Sequence, residues 1–152
     1  MKIWTLKPDE RLREWMMFRN QLGQVTLEQA CDQTTQLWSY APFVSHYLDA
    51  SRDISLIPWP DPWVLLHENY YCDIAKSLGM LYTLYLSSHR PRDIALVMSQ
   101  DPDSKQVYNL VQIEQGKYIL NFEFNTVVNS TLTENLKVLR KYTAQDLKID
   151  LY

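Results

Sequence analysis

Apolar residues recur at steps of three and four along two stretches near the start of the chain. The first stretch covers Asp9 to Leu22, with Pro8 before it and Gly23 after it. Proline is favoured in the first turn of a helix and glycine just beyond its end. The second stretch runs from Leu27 until Pro42 stops it, and Thr26 and Gln29 at its start have the spacing of a capping box. The pattern predicts two amphipathic helices, preceded by a short strand-like lead.

The longest apolar-patterned stretch, Trp59 to Leu86, is the structural centre of the chain. Asp61 and Pro62 can open a helix there as N-cap and first helical residue. Apolar side chains then recur at helical steps, which indicates a buried central helix. That helix is either continuous or broken near Asn69, with a second helix starting at about Cys72. Charged residues interrupt the stretch too often for a bilayer span.

The hydrophobic pattern changes period after residue 90. Ile94 to Met98 has the composition of a short buried strand, and Val107 to Ile113 and Tyr118 to Phe124 flank a polar turn as a β-hairpin. A capping-box spacing opens Thr131 to Leu139, which predicts one more helix, and Leu147 to Leu151 is predicted to be an edge strand. The predicted class is a single α+β domain, residues 1–152. Its N-terminal half is helical around a central buried helix, and its C-terminal half is an antiparallel β-sheet.

Composition narrows the classes of function. The chain has 152 residues, 46% of them hydrophobic, and a net charge of -3, so it is long enough to bury a core and offers no overall attraction to nucleic acid. Because charge appears within the first residues, no signal peptide is expected, and the protein is expected to stay inside the cell. We predict neither a nucleic-acid partner nor a membrane partner. No zinc spacing or phosphate-binding glycine loop is present, and Asp101 and Asp103 have the spacing of turn formers, so neither a cofactor nor a metal is predicted.

The two cysteines have different sequence contexts. Cys31 lies on the apolar face of the second helix, where a cysteine acts as a small hydrophobic residue. Cys72 lies at a helix start, where the positive end of the helix dipole favours a thiolate. Small neighbours at helical spacing around Cys72 are equally typical of a packed core, so its role stays open between nucleophile and core residue.

The order of these features along the chain resembles the transglutaminase-like branch of the papain-like cysteine superfamily. The matching pieces are Trp59 to Pro62, Tyr71 to Ala75, Val107 to Ile113 and Tyr118 to Asn121. In that family a cysteine opens the central helix, a histidine lies on the first hairpin strand and an aspartate lies on the second. The resemblance implies this fold, and it implies Cys72 as the nucleophile if the chain is an enzyme.

The chain departs from the family at the other two catalytic positions. The histidine position, about Val107 to Asn109, has no imidazole, and the acid position falls near Asn121. Thiol chemistry in this family needs a base and a group that orients it. The histidines all precede the hairpin: His46, His67 and His89. Two of them, His67 across a helix break and His46 from the long loop at residues 40–62, stay open as relocated partners of Cys72.

No catalytic residue is therefore favoured, and we expect a non-catalytic structural or interaction subunit. The chain as a whole also looks like small virion proteins of tailed bacteriophages, which implies a neck, tail or baseplate protein on a degenerate transglutaminase-like scaffold. Its partners would be other virion subunits, and its location the virion or the host cytoplasm. The alternative is a cysteine hydrolase or acyltransferase with Cys72 as nucleophile.

Overall fold

A computed structural model describes residues 2–49, 53–56 and 58–151. Within these residues the helices are α1 (Pro8–Leu22), α2 (Leu27–Ser39), α3 (Pro62–Glu68) and α4 (Asp73–Tyr85). The strands are β1 (Ile94–Gln100), β2 (Val107–Ile113), β3 (Tyr118–Glu123), β4 (Thr126–Val128) and β5 (Lys137–Thr143). The helices precede the strands, so the α+β class predicted from the sequence is confirmed. None of the helices in the described ranges has the length and apolar character that a bilayer span requires.

The strands form one antiparallel sheet in the order β4-β3-β2-β1-β5. The chain crosses from one edge of the sheet to the other between β4 and β5. Alternate side chains of a strand point to opposite faces, and the two faces bury different clusters. Leu96, Met98 and Val111 join the main core with the helices, while Ala95 and Val97 belong to a smaller cluster on the other face.

Helix α4 is the centre of the main core, and it contacts α2, α3, β1, β2 and β3. Its packing against α2 depends on Gly79, because a Cβ there would lie 2.3 Å from the Trp38 ring. Thr83, one turn further along α4, accepts hydrogen bonds from Trp38 Nε1 at 2.9 Å and Trp15 Nε1 at 3.0 Å. The indole rings are thus held to α4 by both shape and polarity.

Local signals placed several helix boundaries correctly. Pro8 opens α1, Thr26 and Gln29 form the predicted capping box, and Asp61 caps α3 through the Val64 amide. The central stretch is two helices, because Asn69 adopts a left-handed conformation with φ 60 and ends α3. Of the two arrangements predicted for this stretch, the broken one is therefore correct.

Three predictions of secondary structure are wrong. The strand-like lead is a 3₁₀ helix, Lys2–Thr5, and the predicted helix from residue 131 to 139 is a 3₁₀ turn, Ser130–Leu132, followed by β5. Asn129 Oδ1 accepts from the Thr131 amide, so an Asx turn replaces the capping box. Pairing with β1 then extends the next residues, since tertiary pairing overrides a weak helix preference. The predicted edge strand near the end is a 3₁₀ turn, Ile149–Leu151.

Candidate functional site

A cleft of about 470 Å³ lies between the start of α4 and the hairpin formed by β2 and β3. Its floor is formed by Asp73 and Lys76 of α4, and its walls come from both hairpin strands and from the loop that follows α2. The residues that line it are Ser39, Phe43, Asp73, Lys76, 106–109 and 121–124. Three of the four sequence pieces that resemble the transglutaminase-like family, those around Asp73, Asn109 and Asn121, thus contribute to this cleft, while Trp59 to Pro62 does not line it.

Asp73, like Ser77 one turn later in α4, contacts both hairpin strands. Its Oδ2 accepts a hydrogen bond from Asn109 Nδ2 of β2 at 2.7 Å, and its Oδ1 accepts one from Asn121 Nδ2 of β3 at 3.2 Å. Asp73 is the first residue of α4, and its side chain is exposed. A carboxylate and two carboxamides therefore meet where the start of α4 faces the hairpin, and the two asparagines lie at the positions that the resemblance gives to the histidine and the acid.

Asn121 adopts a backbone conformation that is unusual in a strand. Its φ is 67, in the left-handed region, and the pairing of β3 with β4 shifts register between Ile119 and Glu123. Asn and Asp tolerate this region better than most residues. Beyond Asp73, the Asn121 amide donates to Ser77 Oγ at 2.7 Å and lies 2.9 Å from the Asn109 carbonyl. The bulge thus turns one side chain towards the helix at the expense of regular strand geometry.

Cys72 has a different environment from the one that the resemblance implies. It is the N-cap of α4 with an extended backbone, φ -76 and ψ 177, and only 6% of its surface is exposed. It is absent from the lining of the cleft. The pKa of the nearby Tyr47 hydroxyl is raised, mainly by burial and to a smaller extent by Glu68 and Cys72. The helix start therefore presents Asp73 to the hairpin and turns Cys72 into the core.

The histidines lie away from this cleft. His46 and His67 are exposed, and neither lines it among the described residues. His89 Nε2 lies 2.9 Å from the carbonyl oxygens of both Leu22 and Val25, where it ties the turn after α1 to the end of α4. Neither Cys72 nor these histidines line the cleft, and the Cys72–His67 and Cys72–His46 pairings stay predictions.

Lys76 supplies the positive charge of the cleft. Its Nζ donates to the Ser39 carbonyl at 3.3 Å and lies 5.7 Å from the centre of the Phe43 ring. Burial lowers the pKa of Lys76, and the nearby Asp73 charge opposes that shift. The ammonium is thus directed towards the end of α2 and the loop after it.

Exposed aromatic rings form the rim of the cleft. Phe43 is 64% exposed and Phe124 is 67% exposed, and Tyr40 packs edge-on against Phe124 with ring centres 5.3 Å apart. The turn between β3 and β4 is fixed to the end of α2 by the Asn125 backbone amide, which donates to Ser39 Oγ at 3.1 Å. Large exposed rings beside a cleft are typical of a binding surface.

Sequence reasoning missed Asp73 and Asn109 as site residues. Asp73 and Ser77 are four residues apart, which places them on one side of a helix. That spacing, beside two asparagines on adjacent strands of a predicted hairpin, was the available signal. The family motif points to Cys72, whereas the residue that contacts the hairpin is its neighbour Asp73.

Asp101, outside the cleft lining, serves as a turn former. Asp101 Oδ1 accepts from the amides of Asp103 at 2.8 Å and Ser104 at 3.2 Å, as the sequence predicts. The described residues include no group of three or more histidine, cysteine or carboxylate side chains that is placed to hold a metal ion.

Comparison with known proteins identifies the fold. No protein-family model and no curated protein sequence matches the chain. Among solved structures, Legionella pneumophila LapG matches with a TM-score of 0.68 and 12% identity, over 94% of this chain and 83% of LapG. Its EGTA-treated form gives the same TM-score, with 81% of that chain covered. Its calcium-bound form also gives 0.68, at 11% identity over 93% of this chain and 80% of that chain.

LapG is a cysteine protease with a transglutaminase-like, papain-like fold, so this likeness confirms the fold that the sequence suggested. It contradicts the hypothesis of a bacteriophage virion subunit, because the matching structures belong to a cysteine protease. That hypothesis is wrong, and the hydrolase alternative agrees better with the match. One LapG structure is calcium-bound, and the described residues of this chain hold no group of three or more histidine, cysteine or carboxylate side chains that would suit a metal ion.

Proposed function

We propose that the chain binds an extended peptide in the cleft between α4 and the hairpin, the place where a transglutaminase-like hydrolase would hold its substrate. The observation that carries the proposal is the left-handed Asn121, whose amide is turned towards the start of α4 at the cost of strand geometry, 2.7 Å from Ser77 Oγ and 3.2 Å from Asp73 Oδ1. Backbone conformations of this kind cluster at functional sites, since the surrounding structure must stabilise them.

An unsatisfied polar atom at the same position supports the proposal. Asn109 Oδ1 is shielded from solvent and has no hydrogen-bond partner, while Nδ2 of the same amide donates to Asp73. An unpaired buried acceptor costs about 1–3 kcal/mol. Two unfavourable features, the Asn121 backbone and the Asn109 oxygen, therefore converge on one carboxylate at the floor of the cleft.

The separation of the two hairpin strands supports a peptide as the ligand. Pairing between β2 and β3 runs from Ile113 and Tyr118 to Val111 and Leu120, and the bulge at Asn121 follows. Residues 106–109 and 121–124 then line opposite parts of the cleft. A peptide in extended conformation can make main-chain hydrogen bonds to such strand edges, with side chains on the aromatic rim.

The proposal is tested by titrating isotope-labelled protein with a mixture of random hexapeptides and recording side-chain amide resonances by NMR. We expect the Nδ2 resonances of Asn109 and Asn121 to shift. Asn129, whose side chain caps an exposed turn outside the cleft lining, is the internal control and should stay in place. Unchanged Asn109 and Asn121 resonances at millimolar peptide would refute peptide binding at this cleft.

A cysteine hydrolase that uses Cys72 is the second candidate, and the likeness to LapG favours it. The burial of Cys72 and the exposed positions of His46 and His67 argue against it. The reactivity of the thiol towards an alkylating reagent separates this candidate from the first.

A further inference from the structure

The Asp73 carboxylate has hydrogen-bonding capacity that the protein does not use. An ionised carboxylate offers about four acceptor positions, and the two amides of Asn109 and Asn121 occupy two of them. Asp73 is exposed and lines the cleft, so its remaining positions are open to a ligand. Both donors are neutral, and they orient the carboxylate without cancelling its charge.

No cation of the described residues is paired with this carboxylate. The ion pair found among them joins Arg90 and Asp150, far from Asp73 in the sequence. Lys76 is the cation nearest along α4, and its ammonium is hydrogen-bonded to the Ser39 carbonyl. Glu123 also lines the cleft, which therefore carries two carboxylates against one ammonium. A ligand that brings a positive charge would meet a favourable field there.

The aromatic rings at the rim favour a ligand group that is flat. Phe43 and Phe124 present exposed rings at the cleft, and the faces of aromatic rings attract cations. A guanidinium is planar, stacks on such rings and presents parallel N–H groups that match both oxygens of a carboxylate. An ammonium is a point charge without that fork.

From these features we infer that the cleft binds the guanidinium of an arginine side chain in its peptide ligand. The inference rests on the proposed peptide binding and names the group that Asp73 recognises. The guanidinium donates two N–H groups to the Asp73 oxygens and lies against the exposed rings. Asn109 and Asn121 are positioning residues, because their amides fix the plane of the carboxylate.

The test compares three peptides by calorimetric titration: Ac-Ala-Arg-Ala-NH2, its citrulline analogue and its lysine analogue. Citrulline has nearly the shape of arginine without the charge. We expect the citrulline peptide to bind about tenfold more weakly, the size of a charge-assisted hydrogen-bond effect. The affinity of the lysine peptide should lie between those of the other two peptides. Added salt should weaken the binding of the two charged peptides only.

Asp73→Asn should abolish the preference for arginine over citrulline. The matched control, Asp103→Asn, removes the same charge from an exposed turn and should leave the preference intact. Because the comparison of peptides is made on the unmodified chain, it holds even if Asp73→Asn fails to fold.

Equal affinity for the arginine and citrulline peptides would overturn the inference and leave peptide binding standing. Equal affinity for the arginine and lysine peptides would overturn the guanidinium assignment. Random hexapeptides that shift the Asn109 and Asn121 resonances, while the arginine peptide does not bind, would also overturn it. If no peptide acts on these resonances, the proposed function fails, and the inference fails with it.

Discussion

Asn109 Nδ2 donates a hydrogen bond to Asp73 Oδ2 at 2.7 Å, across the point where the hairpin meets the start of α4. The resemblance to transglutaminase-like enzymes gives the position of Asn109 to a histidine, and this chain has no imidazole there. An amide cannot take up a proton at neutral pH, whereas it can orient a carboxylate. The relationship therefore favours recognition of a ligand, and it makes the two asparagines open to direct tests.

Replacing Asn121 separates the cost of its backbone conformation from the value of its amide. Asn121→Gly should lower the free energy of unfolding by about 1–3 kcal/mol, because the bonds to Asp73 and Ser77 are lost. Asn121→Ala should lower it by about 1–2 kcal/mol more, since φ 67 disfavours a Cβ. Urea denaturation of the variants measures both differences.

Asn125 is the matched control for this pair. It is exposed, with φ 55, in the turn between β3 and β4. Asn125→Ala should be less stable than Asn125→Gly by a similar amount, while Asn125→Gly itself should stay near the unmodified chain. A loss in Asn121→Gly no larger than in Asn125→Gly would show that the Asn121 amide contributes nothing to stability.

Alkylation compares Cys72 with a reference thiol in the same chain. Cys31 is fully buried, and burial, followed by Asp32, Glu114 and Glu28, raises the pKa of its thiol to about 12. We expect iodoacetamide at pH 7 to leave both thiols unmodified until urea unfolds the protein, as mass spectrometry of digests would reveal. Modification of Cys72 within minutes in the folded protein would favour the hydrolase candidate. Loss of that reactivity in His67→Ala or His46→Ala would identify the histidine that acts as the base for Cys72.

The Cys31 thiol also predicts a dependence of stability on pH. Its ordinary pKa is 9.0 and its folded pKa is about 12, so above pH 9 the unfolded chain releases a proton that the folded chain keeps. The contribution of this group is complete below pH 9 and decreases as pH rises towards 12. The free energy of unfolding of Cys31→Ala should therefore fall less steeply between pH 9 and 11 than that of the unmodified chain. Parallel slopes in urea denaturation would contradict this linkage.

The sequence predicted the parts of the fold that depend on local chemistry. The capping box at Thr26 and the N-cap at Asp61 form hydrogen bonds to residues three positions further along the chain. Both can therefore be recognised from the sequence alone. β5 depends on pairing with β1, about forty residues earlier, and its own sequence indicates a helix as readily as a strand. The site was missed for a related reason, since the left-handed Asn121 brings its amide to Asp73 only after the hairpin has formed.

Gly79 is predicted to be required for the packing of α2 on α4. An added Cβ would lie within 2.5 Å of three ring atoms of Trp38, which is itself fully buried. Gly79→Ala should therefore lower the free energy of unfolding by about 1–3 kcal/mol through overpacking. Gly23→Ala is the control, because its Cβ would meet only the movable Ser88 hydroxyl and a carbonyl at 3.4 Å. Equal urea midpoints for the two variants would contradict the close approach.

Thr83 holds two buried indoles with one hydroxyl, and its replacement tests whether that polarity stabilises the core. Thr83→Val keeps the shape but leaves Trp15 Nε1 and Trp38 Nε1 without their acceptor. Each unpaired donor costs about 1–3 kcal/mol, so we expect a loss of roughly 2–6 kcal/mol, a large part of the stability of a typical domain. Thr83→Ser keeps the acceptor and should lose only about 1 kcal/mol for the methyl group. Urea denaturation, monitored by tryptophan fluorescence, measures the stability of both variants. A serine variant that is less stable than the valine variant would mean that the Thr83 methyl, not its hydroxyl, holds the indoles in place.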